Sequence, residues 1–466
     1  MRLAWFSPWP PQKSGVAGRS AELVPLLAQR GHAIDVFVED RRVVRTPTGD
    51  TPPQAGEVRV ITPHDFVWRR AKQHYDLAVY QVGNSHLHAF IWPYMFRYPG
   101  LVVLHDARLH HARAAVLLAT DRAADYRAEF AWSHPGVPPI AAEFAIQRVN
   151  SILYFQWPMI RAVIESARLV GAHSRGVADQ IAREWPNRPV EHIALGEGPA
   201  NVDTQAARRQ FRSAHRLPED AIVFGVHGGL TREKHILEIL AAFAAIRKVL
   251  PTVRLVLAGA ADPSLDLDVR VAELGLTSAT CRVASADDAE FDRAIAASDV
   301  TLNLRWPSTL ETSGPWVRSL AMGRPTVIVD LLHQTHVPAL DPRTWRRHSP
   351  TAELEPDADD RAVTVALDIQ DLGHSLRLAM RRLATDASLR DRLGRRAREW
   401  WEREHTVDRM VTDYERAIAR AVTLPSPSPG PDWPAHLRPD PAARAHELLR
   451  SPAWADATVR DRLSGL

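Results

Sequence analysis

The stretch LAWFSPWPPQKSGVAGRSAELVPLLAQRGHAIDVFV, residues 3–38, decides the fold class. It opens with an unbroken apolar run, 3–6, that reads as a strand buried on both faces. A Pro- and Gly-rich loop follows over 8–18. Residues 20–29 place Leu23, Leu26 and Leu27 on one helical face, Gly31 is a helix stop, and 34–38 is a second strand. Strand, loop, helix and strand make one βαβ unit. Its loop lies at the carboxyl end of the first strand, where open parallel sheets bind ligands.

The same rhythm continues along the chain. Strands are predicted at 58–61, 77–80, 101–104 and 167–172, with a mainly helical insertion over about 107–165 and a helix at 175–184. A second series begins near 220, with strands at 222–226, 254–258, 300–304 and 326–329. Its helices fall at 233–250, 288–297 and 315–322. This alternation predicts a second parallel sheet covered by helices. The expected fold class is therefore α/β with two Rossmann-like domains, 1–200 and 201–385. The linker falls around 195–215, charged C-terminal helices occupy 386–422, and a Pro-rich tail, 423–466, reads as extended or mobile with short helices at its end.

Composition narrows the function. The 466 residues carry a formal charge of only +3, which disfavours a nucleic-acid partner, and no interleaved basic and aromatic motif is present. Nearly all basic residues are Arg; the lysines are Lys13, Lys72, Lys234 and Lys248, so a Lys is the more informative residue here. Cys281 is the single cysteine and has no partner for a disulfide or a thiolate metal site. The start of the chain lacks the apolar core of a signal peptide, and no apolar run reaches membrane-spanning length, so a cytoplasmic location is expected. The runs Phe90-Ile-Trp-Pro-Tyr-Met-Phe-Arg97 and Trp68-Arg-Arg70 leave peripheral contact with the inner membrane face or a lipid-linked acceptor open, beside an ordinary buried helix.

Four segments could carry chemistry. Asn303-Leu-Arg-Trp-Pro-Ser-Thr-Leu-Glu311-Thr-Ser-Gly314 joins a strand to a helix, whose first amides can hold phosphate oxygens. Arg305 adds a cationic fork and Glu311 a carboxylate for sugar hydroxyls; the plain alternative is an acidic helix start. Gly228-Gly229-Leu-Thr-Arg232-Glu-Lys234 also follows a strand, and Lys234 can neutralise a phosphate; a solvated first turn is the alternative. Gly15-Val-Ala-Gly18 lacks the dinucleotide fingerprint and reads as a sugar- or acceptor-facing loop, or as a plain connection. His105-Asp106 directly follows a strand, with His110 and His111 close behind. Adjacent histidines do not share a helix face, so no metal site is expected there. Ser174 reads as a helix cap, with a cleft-lining contact as the alternative.

In order and spacing these segments resemble the retaining GT-B glycosyltransferases, the large superfamily that includes glycogen and sucrose synthases. The resemblance covers most of 1–422 and includes Ala321-Met-Gly-Arg-Pro325 and a helix around 400–420 similar to the family's crossing helix. It implies two parallel sheets facing across a cleft, a nucleotide-sugar donor on the second domain, a carbohydrate or lipid-linked acceptor on the first, and no metal or other cofactor. It makes His105 and Glu311 the catalytic pair. It puts Lys234, Thr312, Ser313 and Gly314 on the donor phosphates, with Gly15 and Asp106 on the sugar side. Two positions depart from the pattern. Gly229 stands where the family has an Arg, and Ser319, on the nucleoside side, stands where it has a second Glu that contacts the ribose.

Those departures keep a second reading open, a glycosyltransferase-like protein that binds without transferring. An epimerase or phosphorylase on the same scaffold is a third; a phosphorylase would need a Lys for pyridoxal phosphate that this chain does not offer. The missing positive charge is assigned to Arg305 or Arg232. Arg305→Ala is then expected to weaken donor binding about tenfold, as for a lost charged hydrogen bond. Unchanged affinity in a titration rules Arg305 out.

Overall fold

The computed structural model describes residues 1–40, 42–44, 53–149, 152–198, 203–284, 287–348 and 361–438. The first domain holds strands β1 (Arg2–Phe6), β2 (Ala33–Phe37), β3 (Val58–Ile61), β4 (Leu77–Val82), β5 (Leu101–Leu104), β6 (Leu169–Ala172) and β7 (Val190–His192), all parallel in the order β3-β2-β1-β4-β5-β6-β7. The second holds β8 (Val223–His227), β9 (Arg254–Ala258), β10 (Thr280–Val283), β11 (Val300–Asn303), β12 (Thr326–Val329), β13 (Ala339–Leu340), β14 (Arg347–His348) and β15 (Thr364–Leu367). Their order is β10-β9-β8-β11-β12-β15-β13-β14, and only the β13–β14 pair is antiparallel.

Strand alternation sorts each sheet's side chains onto two covered faces. In the first domain, Ala4 and Phe6 face one core with Tyr80, Val102 and the insertion helices. Leu3 and Trp5 face the other, which is closed by the helix Gly15–Gln29 and by Met410, Tyr414 and Ile418 of the last long helix. In the second domain, Phe224, Leu255 and Leu302 pack under the helices Ile236–Arg247 and Leu372–Thr385.

Three expectations change. The helix expected from 233 begins at Ile236, because His235 is left-handed (φ 56°) and Lys234 closes a short 3-10 turn, Arg232–Lys234. The crossing helix expected around 400–420 is two helices, Ala387–Glu404 and Val407–Thr423, capped between them by Thr406, whose Oγ1 accepts from the Arg409 amide. Only the second crosses to the first sheet; Trp401 of the first packs with Trp316 and Leu320 of the second domain. The tail is extended but pinned as far as it is described. Trp433 is buried beside Trp132, and its Nε1 donates to Glu165 at 2.9 Å. The helices expected at the end of the tail lie in 439–466, outside the described residues.

The crossing helix Val407–Thr423 is tied to the inter-domain strand end by polar contacts. Asp413 is fully buried and accepts the Ala194 amide at 3.0 Å, and Arg416 pairs with it at 2.7 Å. Gly196 lies so close to Thr406 that a Cβ there would stand 2.6 Å from the Thr406 carbonyl oxygen. Removing the carboxylate would leave a buried amide without an acceptor. Asp413→Ala is expected to cost about 2 kcal/mol of stability, read as a lowered urea midpoint. An unchanged midpoint would show that the helix is held by its apolar face alone.

Candidate functional site

The carboxyl ends of both sheets face one inter-domain cleft, so the loops after β1, β4, β5, β6, β8, β11 and β12 supply its walls. On the second-domain side, Gly228 adopts φ 87° and turns the chain after β8. The Lys234 side chain folds back beneath that turn and donates to the His227 carbonyl at 2.6 Å. Lys234 is 8% exposed, and burial, with Arg305 nearby, brings its pKa down to about 7. It lines a small cavity of about 20 Å³ with His227, Asn303, Arg305, Glu311, Ser313 and His333.

After β11 the chain passes Leu310 in the left-handed region (φ 63°), which separates Thr309 from Glu311 by a sharp turn. Glu311 Oε2 accepts from Ser308 at 2.9 Å, and Arg305 Nε lies 2.7 Å from Glu311 Oε1. Burial raises the Glu311 carboxyl, but Arg305 and Thr309 outweigh it and hold the group below its usual range. Ser313 caps the helix Gly314–Ala321 and accepts the Trp316 amide at 3.4 Å. Thr312 donates instead across the cleft, to the His173 carbonyl at 3.1 Å.

On the first-domain side, His105 Nε2 lies 2.7 Å from Gln81 Oε1, which also accepts from Tyr414 at 3.0 Å. An amide oxygen only accepts, so Nε2 carries the proton and Nδ1 keeps its lone pair. Burial, then the adjacent rings of His173 and His88, holds His105 neutral, well below the ordinary histidine value. Asp106 accepts the Asn84 amide at 2.7 Å and meets the Thr309 hydroxyl at 2.6 Å. That hydroxyl also lies 2.7 Å from Glu311 Oε2. Thr309 has one proton for two carboxylates of opposite domains. A proton on Asp106 satisfies both contacts, since Asp106 then donates to Thr309 and Thr309 to Glu311. Burial and the charge of Glu311 raise the Asp106 carboxyl to about 6, so that arrangement gains population as pH falls toward 6.

The structure thus gathers Lys234, Arg305, Glu311 and Ser313 around one cavity and links them through Thr309 to Asp106. Arg232 is not brought there; it is exposed and reaches Ser264. Ser319, expected on the nucleoside side, is fully buried and its hydroxyl donates to the Pro315 carbonyl at 2.8 Å. Gly15 begins a helix instead of lying in the loop, with Ser14 as its cap, though both line the cleft with Gly18. Ser174 caps the helix Arg175–Glu184 as expected. Sequence reading missed His333, Thr309, Arg19, Glu197 and Arg318; for His333 its place just past β12 was an available signal. In the run Phe90–Arg97, Ile91, Trp92 and Met95 face the core, whereas Trp68 is 61% exposed. Among the described residues no cluster of His, Cys, Asp and Glu is arranged to hold a metal, and no helix is long and apolar enough to cross a membrane.

No known sequence family matches this chain, and no curated protein does. Solved structures do match over most of its length. Sucrose-phosphate synthase from Thermosynechococcus elongatus is 16% identical, with a TM-score of 0.60 over 90% of this chain and 98% of that one. HepE from Anabaena, in complex with UDP, is 13% identical, with a TM-score of 0.59 over 90% and 100%. The catalytic domain of starch synthase IV from Arabidopsis thaliana, bound to ADP and acarbose, is 12% identical, with a TM-score of 0.57 over 91% and 99%. The chain has the GT-B fold of these glycosyltransferases.

Lys234 makes anion binding pH-dependent. Its pKa of about 7 means the side chain is mostly neutral at pH 8. An anion favours the charged form, so binding takes up a proton there. Affinity for sulfate, an anion that does not itself titrate in this range, is expected to fall as pH rises above about 7, by up to roughly tenfold per unit. Lys234→Met should abolish that slope. Calorimetry in buffers of different ionisation enthalpy reads the proton directly; no uptake at pH 8 would contradict a charged Lys234 in the complex.

Proposed function

We propose that this protein transfers a hexose from a nucleoside-diphosphate sugar to a carbohydrate or lipid-linked acceptor, with retention of anomeric configuration. The observation that carries the reading is the meeting of Lys234, Glu311 and the Ser313-capped helix start in one cavity, opposite His105 and Asp106 of the other domain. The neighbours agree with it in kind: HepE is described with UDP-glucose, and starch synthase IV with ADP.

In this reading the donor diphosphate lies over the amides at Thr312, Ser313 and Gly314, with Lys234 and Arg305 on its developing charge. Preorganised cations and amides stabilise a leaving group most where water is excluded. The charge is met by these groups, so the reading requires no metal and no other cofactor. Glu311 holds sugar hydroxyls once the donor draws Arg305 toward phosphate. His105, neutral with a free Nδ1 lone pair, accepts a hydrogen bond from a sugar hydroxyl. The acceptor attacks from the face the diphosphate leaves, and the departing phosphate oxygen takes its proton. The bond to the acceptor oxygen forms as the bond to phosphate breaks, which gives retention.

A panel of nucleoside-diphosphate sugars, scored by nucleotide release and by product anomer, tests this. Release with at least one donor is expected, unaffected by EDTA, and Glu311→Gln should lower kcat by about a hundredfold in a chain that still melts cooperatively. A chain that binds a donor but neither hydrolyses nor transfers it would establish the binding-only reading instead.

A further inference from the structure

The cavity over Lys234, about 20 Å³, has no room for a nucleoside. Next to it, across Ser313 and Gly314, opens a cleft of about 1040 Å³ between the start of the helix Gly15–Gln29 and the helices Asp288–Ala297 and Gly314–Ala321. That is ample for a nucleotide. Its walls are kept low near the first domain, since a Cβ on Gly15 or Gly18 would meet nothing within 4 Å.

A ribose presents two neighbouring hydroxyl donors, and the receptor that matches them is a carboxylate, which accepts on both oxygens. The helix Gly314–Ala321 cannot supply one. Ser319 is buried, and the side chain that it turns to the cleft is Arg318, a donor only.

Glu197 lies opposite Arg318. It is 6% exposed and lines the cleft. Arg318 Nε reaches its Oε2 at 3.2 Å, and Arg19 of the first domain pairs with its Oε1. Each oxygen keeps a further lone pair. The Glu197 carboxylate also stands at the start of the helix Gly314–Ala321, 3.3 Å from where a Cβ on Gly314 would be. Its backbone is fixed, with the Glu197 amide donating to the His405 carbonyl at 3.0 Å.

We propose that Glu197, held by Arg19 and Arg318, is the acceptor for the ribose hydroxyls of the donor, making this cleft specific for ribonucleotides. The proposal rests on the donor reading above. Glu22, Asp287, Asp288 and Asp292 line the same cleft; of these Asp292 comes nearest to Arg318, at 3.3 Å, from the helix Asp288–Ala297, and is the main competitor. Glu197 touches both domains and the helix start where the diphosphate would end, so it is the one within reach of a ribose attached to that diphosphate.

The test uses the full chain and calorimetric titration with ADP, GDP, UDP and CDP, followed by the 2′-deoxy form of each that binds. The wild type is expected to prefer the ribose form by about tenfold or more, as for a lost hydrogen bond to a charged group. Glu197→Gln should bring the two forms within about threefold, while Asp292→Asn leaves the preference in place. Equal wild-type affinity for ribose and deoxyribose forms overturns the proposal and needs no variant, so it stands even if Glu197→Gln fails to fold. Loss of the preference in Asp292→Asn, with Glu197→Gln unaffected, also overturns it. A wild type that binds none of the four diphosphates removes the donor reading itself, and the proposal with it.

Discussion

The contact between Asp413 and the Ala194 amide holds the crossing helix to the strand end from which the chain leaves the first domain. The crossing helix Val407–Thr423 completes the core of the first domain, yet it is continuous with a helix that packs on the second. Asp413 fixes the strand end after β7 to that helix, Gly196 allows the closest approach, and His405 anchors Glu197. The chain therefore enters the cleft at a set place and angle. A carboxylate delivered by such a segment is positioned by both domains at once, which no side chain on either sheet alone could achieve.

The cleft is shut around its reacting side. The Ala107 amide donates to the Thr309 carbonyl at 2.8 Å, Thr309 meets Asp106, and Thr312 reaches the His173 carbonyl. Beside these bonds Leu310 packs against the first-domain core, so polar and apolar contacts together join the domains. Burial is the first cause of the lowered pKa of Lys234 and His105 and the raised pKa of Asp106. All three groups are pushed toward neutrality by loss of water around them. A charged ligand beside such a group reverses that push, so binding and protonation are coupled.

Much of the fold was legible because parallel strands buried on both faces are short apolar runs with clear ends. β3, β5, β9 and β12 begin and end where the sequence puts them. β7 and β10 escaped notice because Val190-Glu-His192 and Thr280-Cys-Arg-Val283 carry polar residues on half-exposed positions. Lys234 and Glu311 were legible because they sit in strand-to-helix turns, where Gly, Ser and Thr mark the chain's change of direction. Arg19, Glu197 and Arg318 were not. Arg19 and Arg318 sit on helices, where a charged residue of an Arg-rich chain reads as a solvated face, and Glu197 lies in the segment between the domains; only the approach of the two domains brings the three together.

The position of Ser319 shows how such a cluster can be misplaced by counting. The eight-residue step from Glu311 assumes that the helix after it turns its eighth residue to the ligand. Here Glu311 precedes the helix, Leu310 is left-handed, and Ser313 is the cap, so the helix starts only at Gly314. From Gly314 the residue one full turn on is Arg318, about 40° from alignment at 100° per residue, while Ser319 is rotated a further 100° into the core beside Leu320. Phase within the helix, set by its cap, decides which side chain meets the cleft. A cation in that phase needs anionic partners, and Glu197 and Asp292 supply them. The charge that would have stood on the helix is thereby displaced to the opposite wall, still at the helix start, where a carboxylate is favoured by the helix dipole.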